Sequence, residues 1–139
     1  MAAEGNQRMN NLTIWAPRVL SLLRVVAALL FIEHGAMKLF HFPAAQPGAP
    51  VPLPPNLLAA GWIEVVGGGL LLLGLFTRPV AFVISGEMAV AYFTVHLRQG
   101  VWPGLNGGGE AILYCFLFFY LVFAGGGAWS LDCALRKRP

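Results

Sequence analysis

Three ionisable side chains interrupt an otherwise apolar stretch near the start of the chain. Glu33, His34 and Lys38 lie within the run VLSLLRVVAALLFIEHGAMKLF, which extends from Val19 to Phe40. At roughly 1.5 Å per residue, such a run is long enough to cross a hydrocarbon layer of about 30 Å. Ionisable groups inside a membrane span mark proton pathways or sites for polar ligands. The run therefore predicts a membrane helix with a chemical role.

The overall composition supports a membrane location. Of the 139 residues, 58% are hydrophobic and only 11% are charged, and the mean hydropathy is +0.70. These values exclude an ordinary soluble domain. The net charge of +3 comes from basic residues at the edges of the apolar runs, so it does not indicate nucleic-acid binding. We expect a lipid bilayer as the main partner and no nucleic acid.

Four apolar runs predict an all-α fold, namely an integral membrane four-helix bundle with a short amphipathic C-terminal segment. The predicted spans cover residues of about 19–40, 57–76, 79–97 and 110–124. They form a single membrane domain over 19–139, preceded by a polar N-terminal arm over 1–18. The loop 41–56 holds six prolines, which cannot continue a helix.

Basic residues at the ends of the spans predict the orientation. Two of them, Lys38 and Arg98, flank one end. Six flank the other end, which carries both termini: Arg8, Arg18, Arg78, Arg136, Lys137 and Arg138. By the positive-inside rule both termini are cytoplasmic, and we expect a multi-pass protein of the plasma (inner) membrane. Arg24 is expected to snorkel to the same surface.

The predicted spans bring polar side chains to the middle and outer half of the bundle. The candidate polar cluster consists of Glu33, His34, Lys38, Glu64, Glu87, His96 and Glu110. Three ionised glutamates facing lipid would cost on the order of 8–10 kcal/mol. We therefore expect these acids to be paired, protonated or hydrated inside the bundle. Glu64 is predicted to be buried because small residues lie one turn away on both sides.

The same cluster allows a structural and a chemical interpretation. Neutral glutamic acids could simply hold helices together through hydrogen bonds, whereas a proton relay or a bound ligand would use them chemically. The spacing of Glu33 with His34, and of Glu87 with His96, differs from the Glu-x-x-His repeat of di-iron bundles. No metal site is predicted. The aromatic residues of the fourth span pack against lipid and core or form a pocket for an isoprenoid ring.

One ion pair is predicted at the cytoplasmic surface. Arg78 follows the second span and Asp132 lies in the C-terminal segment. We expect the two side chains to form a bridge that pins the tail to the bundle.

The order and spacing of several motifs resemble the DoxX family of small membrane proteins. The similarity covers roughly residues 20–138. The motifs are Leu23-Arg24 before His34-Gly35 and Lys38, then Gly61, Glu64, Gly67-Gly68, Gly74-Leu75 and Thr77-Arg78, then Met88, Ala91 and His96, and finally the segments 106–110 and 125–132. The resemblance implies a four-helix bundle and an association with redox chemistry. Relatives include a subunit of a thiosulfate:quinone oxidoreductase and components of membrane complexes that guard against oxidative stress.

The residues and the resemblance together favour an accessory subunit of a membrane redox (quinone-linked) system with an outward-facing Glu/His cluster. No catalytic residue carries over, and whether the chain is an enzyme is left open. Among cofactors, quinone ranks above haem or a metal held by His34 and His96. Membrane or redox proteins and a second copy of the chain are the candidate partners. The alternatives are a noncatalytic scaffold and a small proton-linked transporter, for which the inner half offers mainly Arg24 and Ser85.

Overall fold

Three long helices and a shorter fourth one form most of the described part of the protein. The computed structural model describes the backbone of residues 2–136 and the side chains of residues 12–136, and within them every regular element is a helix. Helices long and apolar enough to cross a membrane cover Leu12–Leu39, Pro55–Leu73 and Thr77–Gln99, and a shorter apolar helix covers Gly109–Ala124. The prediction of an all-α membrane bundle is confirmed.

The first helix, α1, extends over Ala2–Leu39 and continues through Pro17. The predicted arm 1–18 is therefore continuous with the first span, and the boundary between them stays a prediction. Three basic residues used to predict the orientation cannot be placed, since Lys137, Arg138 and the side chain of Arg8 lie outside the described residues.

Helix α2, over Pro55–Leu73, begins with a proline and ends at Gly74. Proline suits the first helical position because it lacks only an N–H that has no partner there. Gly74 has a φ of +67°, a left-handed conformation that terminates helices and that glycine adopts without strain. The helix thus ends three residues before the predicted limit of 76.

Helix α3 extends over Thr77–Ala91 and then changes its winding. A π-helical turn covers Tyr92–His96, and a 3₁₀ turn covers Leu97–Gln99. The helical segment therefore reaches two residues beyond the predicted limit of 97, where Gly100 follows.

The last third of the chain contains two short helices around a longer one. Helix α4 covers Pro103–Asn106, α5 covers Gly109–Ala124 and α6 covers Leu131–Arg136. The bounds of α5 agree with the predicted fourth span to within one residue, and α6 lies in the predicted C-terminal segment.

The two ends of the bundle are built differently. At one end, called the termini end, the backbone N–H of Ala128 donates to the carbonyl of Pro17 at 3.0 Å, which ties the segment after α5 to α1. The other end, called the loop end, carries α4 and the proline-rich loop 40–54, which is not helical. The part of α1 around Pro17 and the C-terminal end of α5 therefore lie side by side.

The core lies between the two ends. Phe31, Leu71, Ile84, Phe118 and Leu121 are each at most 1% exposed, and the Phe31 ring meets the Phe118 ring edge-on at 5.0 Å. Many large apolar side chains remain on the outside of the helices. In water they would form an aggregation-prone surface, whereas in a bilayer they contact lipid tails.

Candidate functional site

Glycines allow α1 and α2 to approach closely. A Cβ atom at Gly35 would lie 2.8 Å from the carbonyl oxygen of Gly61 and 2.9 Å from Cβ of Glu64. Further along, a Cβ at Gly68 would lie 3.3 Å from the carbonyl oxygen of Ala28. Since the contact moves toward the N-terminus of α1 as it moves toward the C-terminus of α2, the helices are antiparallel and their backbones almost touch.

The register between α2 and α3 is set in the same way. A Cβ at Gly67 would lie 2.8 Å from Cδ1 of Ile84. Glu64 precedes Gly67 by one helical turn, and Glu87 follows Ile84 by about one turn. Because the two helices are antiparallel, both carboxyl groups lie on the loop-end side of this contact.

These registers bring together three charged residues, two buried and one half-buried, which we call the Lys38–Glu64–Glu87 cluster. The Lys38 ammonium donates to Oε1 of Glu64, and the two side chains are 9% and 2% exposed. Glu87 is within electrostatic range of both partners. Oε2 of Glu64 and Oε2 of Glu87 are buried, and neither has a hydrogen-bond partner among the described residues. The predicted burial of Glu64 is confirmed.

A second polar group lies where α1 meets α5. His34 Nδ1 is 2.9 Å from the carbonyl oxygen of Leu30. A carbonyl oxygen only accepts, so Nδ1 carries the hydrogen and Nε2 is the acceptor in the neutral ring. Nε2 lies 3.4 Å from Oε2 of Glu110. The imidazole also meets the Tyr114 ring edge-on at 6.0 Å. His34 is within electrostatic range of Glu64, so the second group neighbours the buried cluster.

Two residues of the predicted cluster lie elsewhere. Glu33 is exposed, and the described residues offer it no hydrogen bond or ion pair. A rotation of about 100° separates it from His34 on the helix, and it lies within electrostatic range of Tyr114. His96 is 3.1 Å from the backbone oxygen of Asn106 and stacks on Tyr92 at 6.5 Å. The expectation that all these groups converge on one spot is wrong for Glu33 and His96.

Asn106 explains the position of His96 and was missed by the sequence analysis. Its side-chain amide donates to the carbonyl of Gly100 at 2.7 Å and accepts from the N–H of Gly108 at 2.8 Å. Asn106 is buried, and its bonds close the loop between α3 and α5. An asparagine followed by glycines is a signal for such a turn. His96 therefore stabilises the loop between α3 and α5 through its contact with Asn106.

Arg24 lies at the centre of the termini end. The side chain is fully buried, so the expectation that it snorkels to the surface is wrong. Its guanidinium donates to the carbonyl of Gly126 at 2.9 Å, of Leu72 at 2.7 Å, of Trp129 at 2.8 Å, and of Leu71. The carbonyl of Leu71 also accepts from the N–H of Gly74 at 3.0 Å. Leu71 and Leu72 lie in the last turn of α2, and a cation is favourable at that end of a helix.

Asp132 occupies a different place from the predicted one. Its carboxylate accepts from the N–H of Phe76 at 2.9 Å and from the N–H of Thr77 at 2.8 Å. No ion pair within 4.0 Å joins it to Arg78 in the described chain, and the Arg78 guanidinium lies beside Gly125 instead. The prediction of an Arg78–Asp132 bridge is therefore wrong. The backbone at the start of α3 has two free N–H groups, and these outcompete a mobile side chain for the carboxylate.

The electrostatics of Asp132 follow from these contacts. Partial burial alone would raise the pKa of its carboxyl group, but the N–H groups of Thr77 and Phe76 and the charge of Arg136 outweigh it. The pKa of Asp132 therefore lies below its ordinary value, and the group is ionised at neutral pH.

Metal binding by a cluster of side chains is not supported in the described part of the chain. No group of three or more His, Cys, Asp or Glu side chains there is arranged to hold a metal ion. His34 and His96, the candidate ligands for the less favoured haem or metal, have separate partners: Glu110 for His34 and Asn106 for His96.

The fold and the site together define a helical membrane bundle with charged side chains enclosed near both ends. The DoxX family model matches residues 19–97, which is more than half of the chain. The chain therefore belongs to the DoxX family, and the resemblance seen in the sequence is confirmed.

Three relatives extend this comparison. An uncharacterized protein of Haemophilus influenzae is 49% identical over 134 residues, which cover 94% of this chain and 100% of the relative. An uncharacterized membrane protein of Mycobacterium tuberculosis is 28% identical over 131 residues, 84% of this chain and 80% of the relative. The inner membrane protein YphA of Escherichia coli is 29% identical over 126 residues, 84% of this chain and 89% of the relative. No solved structure matches the chain.

Proposed function

We propose that the protein is an accessory subunit of a membrane redox system in which the Lys38–Glu64–Glu87 cluster handles protons beside a quinone. One observation carries the proposal: two carboxyl oxygens, one on Glu64 and one on Glu87, are buried without a partner in the described residues. Ionisable groups inside a bundle indicate function by default, because inserting them is costly. Reduction of a quinone takes up protons together with electrons. Acids such as Glu64 and Glu87 can supply the protons.

The neighbouring His34 group is the part of the site that we assign to the quinone ring. His34 and Tyr114 are half-buried at the junction of α1 and α5, where a ligand dissolved in the bilayer can reach them. The phenol of Tyr114 can donate a hydrogen bond to a quinone oxygen, and so can Nε2 of His34 when the imidazole carries a second proton. Electrostatic proximity of His34 to Glu64 links this contact to the buried cluster.

The buried apolar core counts against the transporter alternative, because a transporter needs a polar path through the bundle. A layer of fully buried apolar residues, including Ala28, Phe31 and Ile84, separates the buried cluster from Arg24. A continuous polar path along the bundle would have to cross this layer. The scaffold alternative stays in second place, because the Lys38–Glu64 pair and the Arg24 contacts both join separate helices.

The proposed orientation places both termini in the cytoplasm of the plasma (inner) membrane. Of the described basic residues, Arg18, Arg78 and Arg136 belong to the termini end, while Lys38 and Arg98 belong to the loop end. This asymmetry agrees with the positive-inside rule. The Lys38–Glu64–Glu87 cluster then faces the outer half of the membrane.

The test is retention of quinone by the purified protein. We expect the wild-type protein, extracted in mild detergent, to carry quinone that mass spectrometry detects in the lipid extract. His34→Ala and Glu64→Gln should each lower the quinone content several-fold, since they remove a ring contact and the proton-handling acid. Thr94→Val is the matched control, because Thr94 is exposed and its hydroxyl donates to Val90 within its own helical segment.

Two results would contradict the proposal. The first is a wild-type protein that carries no more quinone than an unrelated membrane protein prepared in the same way. The second is equal quinone content in all variants. If membrane complexes also form normally with Glu33, Glu64 and Glu87 all changed to Gln, the two results together would favour the scaffold.

A further inference from the structure

The loop between α1 and α2 encloses a cavity at the loop end. The cavity has a volume of about 190 Å³, and its polar lining comes from Lys38, His41 and Gln46. Lys38 also donates to Glu64 in the buried cluster. One side chain thus belongs to both the cavity wall and the buried cluster.

The cluster itself has more acid than base. Lys38 is the cation of the cluster, while Glu64 and Glu87 come from α2 and α3. If both carboxyl groups were ionised, one negative charge would stay uncompensated in the bundle, which is costly at membrane depth. One bound proton removes this charge. Oε1 of Glu64 already accepts from Lys38, so Glu87 is the residue that carries the proton.

Among the described side chains, those of residues 12–136, no second cation pairs with these acids. From α1, His34 is within electrostatic range of Glu64, but its Nε2 faces Glu110 of α5. Glu110 itself is an acid with a side chain 74% exposed. The charge balance of the cluster therefore rests on Lys38, Glu64 and Glu87.

We propose that Glu64 and Glu87 hold one proton at neutral pH, and that this proton exchanges with the loop-end solution through Lys38 and the cavity under residues 40–54. In the exchange, an N–H bond of the Lys38 ammonium breaks as an O–H bond forms on Glu64, and the O–H bond of Glu87 breaks as its proton passes to the Lys38 amine. The cluster then still holds one proton, and the ammonium exchanges the proton it received for one from water in the cavity. The inference rests on the proposed function only for the use to which the proton is put.

The bound proton is tested by infrared spectroscopy of the full chain in lipid nanodiscs at neutral pH. We expect a C=O stretch from a protonated carboxyl group that shifts in D₂O. Glu87→Gln should remove the band, and Glu64→Gln should remove it too, because Glu87 then becomes the ionised partner of Lys38. Glu87→Asp keeps a carboxyl group and should keep a band at a shifted frequency. All these spectra are compared in a Glu33→Gln background, so that the exposed carboxyl group of Glu33 contributes no band.

The route is tested by the rate at which the band shifts after mixing with D₂O. Ala49 lines the cavity, so Ala49→Phe should fill it and slow the exchange several-fold. Ala44→Phe is the matched control in the same loop, since Ala44 is exposed and does not line the cavity. Equal slowing in both variants, or no slowing in either, would overturn the route.

Absence of the band from the wild-type protein, or its persistence in Glu87→Gln, would overturn the bound proton. These outcomes are independent of quinone. A band with the expected behaviour in a protein that carries no quinone would refute the proposed function and leave this inference in place.

Discussion

Arg24 shows how a single charged residue can be stable inside a membrane bundle. Its guanidinium lies among carbonyl oxygens from α2 and from the segment after α5, and Asp132 adds an attractive charge nearby. Arginine provides five donors in a planar arrangement, so one side chain satisfies several carbonyls that the ends of helices leave free. Loss of this residue would leave the carbonyls of Leu72 and Trp129 without a donor among the described residues, whereas those of Leu71 and Gly126 keep Gly74 and Ser21.

We predict that Arg24→Met destabilises the protein by several kcal/mol, because each buried carbonyl left without a partner costs about 1–3 kcal/mol. Thermal unfolding in detergent measures the effect. Arg18→Met is the control on the same helix, since Arg18 donates only to Ile14 of its own helix in the described chain, and we expect a change within about 0.5 kcal/mol. Equal melting temperatures for the two variants would refute the structural role of Arg24.

At the scale of elements, α6 is too short to be stable by itself. It has six residues, far fewer than the roughly 12–15 that an isolated helix needs. Asp132 anchors it by accepting from the first N–H groups of α3, while its own N–H donates to the carbonyl of Gly74 at 2.9 Å. The carboxylate thus acts as the N-terminal cap of α3 from a distant part of the chain.

We predict that this anchor weakens in acid. The pKa of Asp132 is lowered in the folded protein, so its contribution is full above the unfolded value of about 3.9 and is lost as the pH falls through the folded pKa. After correction for the intrinsic exchange rate, hydrogen exchange of the α6 amides should therefore stay constant from neutral pH down to the unfolded pKa of about 3.9. Below that pH the exchange should accelerate.

Asp132→Asn provides the comparison for the acid effect. The amide keeps an acceptor oxygen but does not titrate, so protection of α6 in this variant should be weaker at neutral pH and should lack the acid transition. Asp132→Ala should lower the stability of the protein by about 0.5–2 kcal/mol, the usual cost of removing a helix cap. An unchanged acid transition in Asp132→Asn would assign it to another group.

At the scale of the whole molecule, glycine contacts determine which side chains meet. Gly35 allows α1 to contact α2, and Gly67 allows α2 to contact α3. Interhelical packing of this kind is the main source of cohesion inside a bilayer, since lipid tails are as apolar as the helices. Moving either pair of helices apart would separate the members of the Lys38–Glu64–Glu87 cluster.

We predict that Gly35→Ala lowers stability by about 1–3 kcal/mol, the typical cost of overpacking, because the new Cβ would lie within 3.0 Å of three atoms of α2. Gly69→Ala is the matched control, because a Cβ there has nothing within 4 Å, and we expect no loss of stability. Thermal unfolding of the two proteins measures the difference. A smaller effect for Gly35→Ala than for Gly69→Ala would contradict the close packing of α1 and α2.

The sequence by itself determined the class of protein, the approximate limits of the long helices, the proline-rich loop and the burial of Glu64. These features follow from local composition and from the periodicity of one helix at a time. Which polar groups meet was decided by the tertiary structure: Lys38 contacts Glu64, Glu33 faces outward, and Asp132 caps α3 instead of pairing with Arg78. The physical reason is that side-chain partners depend on the rotation and register of packed helices. Those are set by contacts between distant segments, such as Gly35 with Gly61.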